Sequence, residues 1–271
     1  MNYGIFDLNY GTEGGEEKNN GHDNVEKINP NLFYNIQGMY VLKKFKNIGK
    51  LPEYLEIEGK LCKRFLEIFY LHKTLSQLTI SQTISLCDIR LNYLNKIVAV
   101  EYNKFIICEL IKRVIETNLI HKKEKKTILD YGIGSGISLD CLISLKLEND
   151  YELIGTDISL NALKMSSETG INTFYWFDGK HISPDYFDAI ISSFVFDFNI
   201  TFPEIKRLYT LLKKEGRFVL NMYKNDVYNY RNLINNLVKA GFNINEEQIN
   251  VPKNKFNIKH DYEKVIIAEK I

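Results

Sequence analysis

The stretch from Thr127 to Gly136, T-I-L-D-Y-G-I-G-S-G, constrains the fold more than any other part of this 271-residue chain. The apolar pair Ile128-Leu129 suits a buried parallel strand. Three glycines follow at alternate positions, Gly132, Gly134 and Gly136. Past them, Ile137, Leu139, Cys141, Leu142 and Leu145 recur at roughly helical spacing. The reading is a strand, a tight turn and a helix N-terminus. Glycine lets a ligand approach the backbone closely. The free N–H groups and the positive dipole end of the helix favour a carboxylate or a phosphate.

From residue 127 onward strands and helices alternate, which predicts a parallel sheet covered on both faces. The strand candidates are Thr127–Tyr131, Glu152–Asp157, Asn172–Phe177, Tyr186–Ser193 and Arg217–Tyr223. Ser159 reads as the N-cap of the helix after the second strand, and Gly170 as its stop. A further helix is expected from Thr201 to Gly216. Thr201 caps it, Pro203 sits in its first turn, and Lys213 and Lys214 favour its C-terminal end. After a helix around Asn229 to Ala240, stopped by Gly241, come the strand candidates Phe242–Val251 and Lys264–Glu269. The loop between them has no room for a crossover helix, so they should be antiparallel neighbours.

Upstream, residues 31 to about 120 read as mainly helical. Leu55, Leu61, Phe65, Leu66, Phe69 and Tyr70 recur at three- and four-residue spacings between Leu51 and Leu75. Thr79 to Val100 and Tyr102 to Leu119 carry similar stripes. Lys43, Lys44, Lys46, Lys50, Lys60, Lys63, Arg64 and Lys73 are interleaved with aromatics, either as a solvated face or as a nucleic-acid groove. Residues 1–30 open with Tyr3, Ile5, Phe6, Leu8 and Tyr10, followed by a glycine-rich polar run. They read as a flexible tail or as a lid over a site. Three segments are therefore expected: 1–30, a helical cap over 31–100, and an α/β domain over 101–271.

Composition narrows the function. Net charge is +1, so no overall basic field points to nucleic acid. Cys62, Cys87, Cys108 and Cys141 form no C-x-x-C pair, so neither a metal site nor a disulfide framework is expected, and a reducing cytoplasm is. The N-terminus lacks the basic region and apolar core of a signal peptide. No apolar run approaches the roughly 20 residues that cross a bilayer, so no membrane partner is expected.

Three features sharpen the glycine turn. Asp130 ends the first strand, two residues before the first glycine. The spacing is G-x-G-x-G, and Ile137 occupies the place of the third glycine in the dinucleotide fingerprint G-x-G-x-x-G. Asp157 ends the second strand, where a carboxylate accepts bonds from both hydroxyls of a ribose. With these motifs the chain resembles a class I S-adenosylmethionine-dependent methyltransferase over about residues 100–271. The resemblance implies a Rossmann-like, seven-stranded, mostly parallel sheet with an antiparallel last strand. It implies S-adenosylmethionine as cofactor, its amino-acid part held by Asp130, Gly132, Gly134, Ser135 and Gly136. Asp157 would bind the ribose, Ile158 would pack on the adenine, and Asp178 with Gly179 would hold the adenine edge. The fourth strand would lead into the site at Ser193. Leu211-Leu212-Lys213-Lys214-Glu215-Gly216-Arg217-Phe218 is similar to the family's motif before its fifth strand. Tyr131, Phe177 and Gly179 depart from the usual residues.

The acceptor side is less defined. The loop Phe194-Val195-Phe196-Asp197-Phe198-Asn199 lacks the N/D-P-P-Y/F signature of enzymes that methylate planar exocyclic nitrogens. Phe194, Phe196 and Tyr223 are candidate acceptor contacts, or core. Asp197 and His181 are the candidate proton acceptors. The expected reaction is methyl transfer to an O or N atom of a small molecule, in secondary metabolism. The alternatives are an RNA or protein acceptor, a nucleotide-dependent oxidoreductase, and a non-catalytic cofactor-binding domain. Oligomeric state is open.

Overall fold

The structure is a computed structural model that describes residues 26–27, 30–43, 52–65, 69–97, 100–115, 125–222, 227–252, 256 and 262–271. Of the expected lid or tail over residues 1–30, only residues 26–27 and 30 are described; the rest lies outside the described residues, as does Tyr223.

The N-terminal part departs from the helical expectation. It is a sheet of β1 (Glu26–Lys27), β2 (Phe33–Ile36), β3 (Met39–Leu42), β4 (Tyr54–Ile57), β5 (Lys60–Phe65) and β6 (Phe69–Leu71), in the order β1-β4-β5-β6-β3-β2. The reason lies in two turns. Gln37 and Gly38 have φ of 53° and 84°, and Glu58 and Gly59 have φ of 52° and 73°. Each pair forms a two-residue hairpin loop with positive φ at both places, which matches the strand twist and interrupts any helix. Burial follows a period of two: Leu55 and Ile57 are fully buried while Tyr54 is exposed. The helical spacing of Leu61, Phe65 and Phe69 is incidental, since Leu61 faces solvent and the other two belong to different strands. Of the described basic residues here, Lys43 lies over the Tyr34 ring, and Lys63 lies over Tyr54 and near Glu53.

The helices expected next do form, as α1 (Ile80–Ile97) and α2 (Val100–Ile115). Leu78 and the fully buried Leu86 at α1 complete the core of the N-terminal sheet, together with Phe198 from far along the chain.

The second sheet has seven strands: β7 (Lys126–Tyr131), β8 (Tyr151–Asp157), β9 (Asn172–Tyr175), β10 (Phe187–Ser193), β11 (Leu212–Asn221), β12 (Phe242–Asn250) and β13 (Tyr262–Lys270). The order is β12-β13-β11-β10-β7-β8-β9. Pairings from β9 through β11 are parallel, and β13 runs antiparallel to both β11 and β12. The helices are α3 (Ile137–Ser144), α4 (Leu160–Glu168), α5 (Phe202–Leu211) and α6 (Val227–Ala240). One core lies between the sheet and α2, α3 and α4; the other lies between the sheet and α5 and α6. Strand order reverses between β7 and β10, so the crevice at their C-terminal ends is where an open α/β sheet takes its ligand.

The local signals for this sheet are realised with one shift. Ser159 Oγ accepts from the Ala162 N–H and caps α4, and Gly170 follows its end at φ 94°. Thr201 and Glu204 form a reciprocal capping box at the start of α5. That helix, however, stops at Leu211 rather than at Gly216. Leu212 already pairs with Phe187, and Lys213 leaves the helix to bind Asp188 at 2.8 Å. Among the described residues no helix is long and apolar enough to cross a membrane.

Replacing Leu86 with Ala should cost about 2–5 kcal/mol, because it opens a cavity where α1 closes the N-terminal sheet. Urea unfolding measures this, and a loss below about 1 kcal/mol would mean that α1 does not close that core.

Candidate active site

A cleft with a volume of about 260 Å3 opens at the C-terminal ends of β7, β8 and β10. Its floor is the glycine turn. The Gly132 and Ile133 N–H groups donate to the Thr156 carbonyl at 2.8 and 3.0 Å, which folds the turn back onto β8. A side chain at Gly132 would bring its Cβ within 2.3 Å of Val195 Cγ2. Gly134 stands at φ 56° with open space where a side chain would project. This is bare backbone facing the cleft, the surface a ligand can lie against.

Two carboxylates share this floor. Asp157 Oδ2 accepts from the Gly134 N–H at 3.1 Å, and Oδ1 accepts from the Ser159 N–H at 2.9 Å. Burial nevertheless pushes the Asp157 carboxyl above its usual range, opposed by these N–H groups. Asp130 is also raised, to about 7. Burial is the main cause and the Asp157 charge adds to it. The Ser138 hydroxyl is near enough to favour the Asp130 carboxylate, without reaching hydrogen-bonding geometry.

The structure brings Asp130, Gly132, Gly134, Ser135, Asp157, Ile158, Ser193 and Phe194 together on the cleft wall. Gly136 sits just behind, as the N-cap of α3 at φ 82°. Buried Ser193 Oγ has no hydrogen-bond partner, which leaves a polar atom for a ligand at the end of β10. Phe194 is held at φ 58° while its N–H donates to Asn221 Oδ1 at 3.2 Å, and its ring stacks on Tyr102.

Other expected residues are placed elsewhere. Asp178, Gly179 and exposed His181 line a separate depression with Phe174 and Tyr186. After β9 the chain turns through Trp176 and Phe177, and these two side chains reach the cleft instead. Trp176 sits edge-on to Tyr131 at 4.7 Å and under the Arg207 guanidinium at 3.9 Å. Phe196 is core, packed on Tyr131 and Phe218. Asp197 is buried and does not line the cleft.

Sequence reasoning missed the opposite wall. Thr79, Thr83, Cys87 and Arg90 face the cleft from α1 and the residue before it, at spacings of four, four and three. That helical spacing of Thr79, Thr83, Cys87 and Arg90 was a legible signal. Burial and the nearby Asp157 charge push the Cys87 thiol up to about 12. Asn103 and Ile107 of α2 and Thr201 and Glu204 at the start of α5 complete the lining.

Residues 101–257, more than half of the chain, match the family described as a methyltransferase domain. This chain is a class I S-adenosylmethionine-dependent methyltransferase. The methyltransferase matches no curated protein. Among solved structures it is similar to a methyltransferase from Aquifex aeolicus, at 17% identity and TM-score 0.49, over 66% of this chain and 96% of that one. It is also similar to one from Archaeoglobus fulgidus, at 17% identity and TM-score 0.45, over 62% and 94% of the two chains. A third is Haemonchus contortus phosphoethanolamine N-methyltransferase 2, at 16% identity and TM-score 0.47, over 60% of this chain. The matched region spans about half of that enzyme, 52%.

The raised Asp130 sets a pH dependence for the ligand-free methyltransferase. Asp130 holds its proton more tightly folded than unfolded, so its contribution to stability is complete below about pH 4 and is lost as pH rises through about 7. The loss is at most about 4 kcal/mol. Thermal melts of the parent and Asp130→Asn from pH 5 to 8 should diverge, the parent losing stability relative to the variant as pH rises. Parallel curves would show that Asp130 is ionised throughout.

Proposed function

We propose that this methyltransferase moves a methyl group from S-adenosylmethionine to an O or N atom of a small-molecule acceptor, in secondary metabolism. The observation that carries the acceptor reading is the wall contributed by the N-terminal part. Leu78, Ile80 and Leu91 face the glycine turn across the cleft, and Phe198 joins the cleft lining to the core of the N-terminal sheet. A narrow, largely apolar cleft walled in this way suits a small acceptor better than a folded macromolecule.

The residues present fit the donor. Asp157 is the ribose ligand in this reading, with Ile158 beside the adenine. Asp130, Gly132, Gly134, Ser135 and Gly136 take the amino-acid end. We assign the adenine edge to Trp176 and Phe177, which reach the cleft, in place of Asp178 and Gly179. When bound, the donor supplies a methyl group already activated on a positive sulfur. The chain's part is to bind, align and exclude water, and alignment alone can supply much of the rate. Ser193 and Phe194 stand at the end of β10, where donor and acceptor would meet. Asp197 and His181 do not line the cleft, so a general base from these two is not part of the reading. Residues 31–100 build the acceptor-side wall and residues 101–271 the donor site.

Calorimetric titration with S-adenosylhomocysteine, with NADH as control, tests this. Micromolar binding of the first and none of the second is expected. Asp157→Ala should weaken S-adenosylhomocysteine binding by about 1–3 kcal/mol in a folded protein. Binding of NADH alone would overturn the donor site. Salt-sensitive binding of RNA would overturn the small-molecule acceptor.

A further inference from the structure

The family match begins at residue 101, after the whole of α1. Yet α1 carries a side chain that reaches the donor site. Ser159 is fully buried, and three of its hydrogen bonds link α1, α4 and the donor site. Its Oγ accepts from the Ala162 N–H at 3.0 Å and donates to Asp88 Oδ1 at 2.5 Å. Its own N–H donates to Asp157 Oδ1 at 2.9 Å. The other Asp157 oxygen is held by the Gly134 N–H. A continuous chain therefore runs from Asp88 on α1, through Ser159, to the carboxylate that faces the glycine turn.

The geometry at Ser159 leaves little freedom. A cap hydroxyl can point its proton anywhere its acceptors allow. Here the one hydrogen goes to Asp88 while the lone pairs serve the helix. With Asp88 as acceptor, the Ser159 backbone stays where its N–H meets Asp157. Without it, the hydroxyl proton loses its acceptor, and Ser159 loses one of the contacts that hold its N–H against Asp157. From other positions on its surface α1 presents Thr83, Cys87 and Arg90 to the cleft, and the Asp88–Ser159 bond ties this helix to the start of α4.

We propose that Asp88 is a positioning residue of the donor site: it fixes Ser159, and through Ser159 the Asp157 carboxylate, so that the N-terminal part and the methyltransferase domain bind the donor together. This rests on reading Asp157 as the ribose ligand. Positioning of this kind acts only through Asp157, which separates it from a general loosening of α1.

The test is a double-mutant cycle on the full chain, read by calorimetric titration with S-adenosylhomocysteine. Asp88→Ala should weaken binding roughly tenfold in the parent background and leave it unchanged in the Asp157→Ala background. Asp88→Asn keeps an acceptor oxygen for Ser159 and should stay within about threefold of the parent. Parent-like affinity in Asp88→Ala, beside a clear loss in Asp157→Ala, would overturn the role of Asp88 alone. An equal loss in both backgrounds would show that α1 merely covers the cleft, and would overturn it too. Parent-like affinity in Asp157→Ala would overturn the ribose assignment, and the positioning of Asp157 with it.

Discussion

The site depends on how one half-buried carboxylate is held. Asp157 has lost much of its contact with water, and an ionised group there is costly unless hydrogen bonds replace its hydration. Two backbone N–H groups do so, one from Gly134 in the glycine turn and one from Ser159 at the start of α4. The glycine turn is tied to β8 a second time, through the Thr156 carbonyl. The position of the turn is thus set by the end of the neighbouring strand as much as by its own glycines. Gly155 contributes to this from within β8, because its missing side chain leaves the hollow that Ile133 fills; a Cβ there would lie 2.2 Å from Ile133 Cδ1. Strand, turn and carboxylate form one unit with little room to shift.

That unit has an electrostatic consequence. Asp130 and Asp157 face one cleft, and the Asp157 charge disfavours ionisation of Asp130. Among the described residues that line the cleft, Arg90 is the only Lys, Arg or His. Burial first, and then the Asp157 charge with little cationic compensation on the floor, raise Asp130 to about 7. A ligand that brings positive charge relieves this repulsion on binding. A sulfonium with an α-ammonium group does so, and a dinucleotide pyrophosphate would aggravate it.

Local chemistry was legible in the sequence, and features set by distant contacts were not. The glycine turn, the Ser159 cap, the stop at Gly170 and the antiparallel tail all follow from residues within a few positions of one another. The N-terminal strands were misread because Leu61, Phe65 and Phe69 fall at helical intervals while the two hairpin turns, Gln37-Gly38 and Glu58-Gly59, were overlooked. The end of α5 was misplaced because Lys213 suits a helix C-terminus as well as it suits Asp188, a partner 25 residues away. Asp178 was preferred to Trp176 on motif alone. The chain turns after Tyr175, and Trp176 takes the place between Tyr131 and Arg207. Nothing near Trp176 in sequence announces that stack.

The wall on the acceptor side shows the same limit most clearly. Phe194 is a bulky residue at positive φ, a conformation that persists only where the surroundings enforce it. Its N–H is taken by Asn221 on β11, and its ring lies against Tyr102 on α2. Tyr102 is fixed in turn by its hydroxyl, which donates to buried Glu263 on β13. Four elements spread over some 160 residues converge to hold one ring at the end of β10. No window of sequence contains them. Their convergence holds the Phe194 ring in one place at the end of β10.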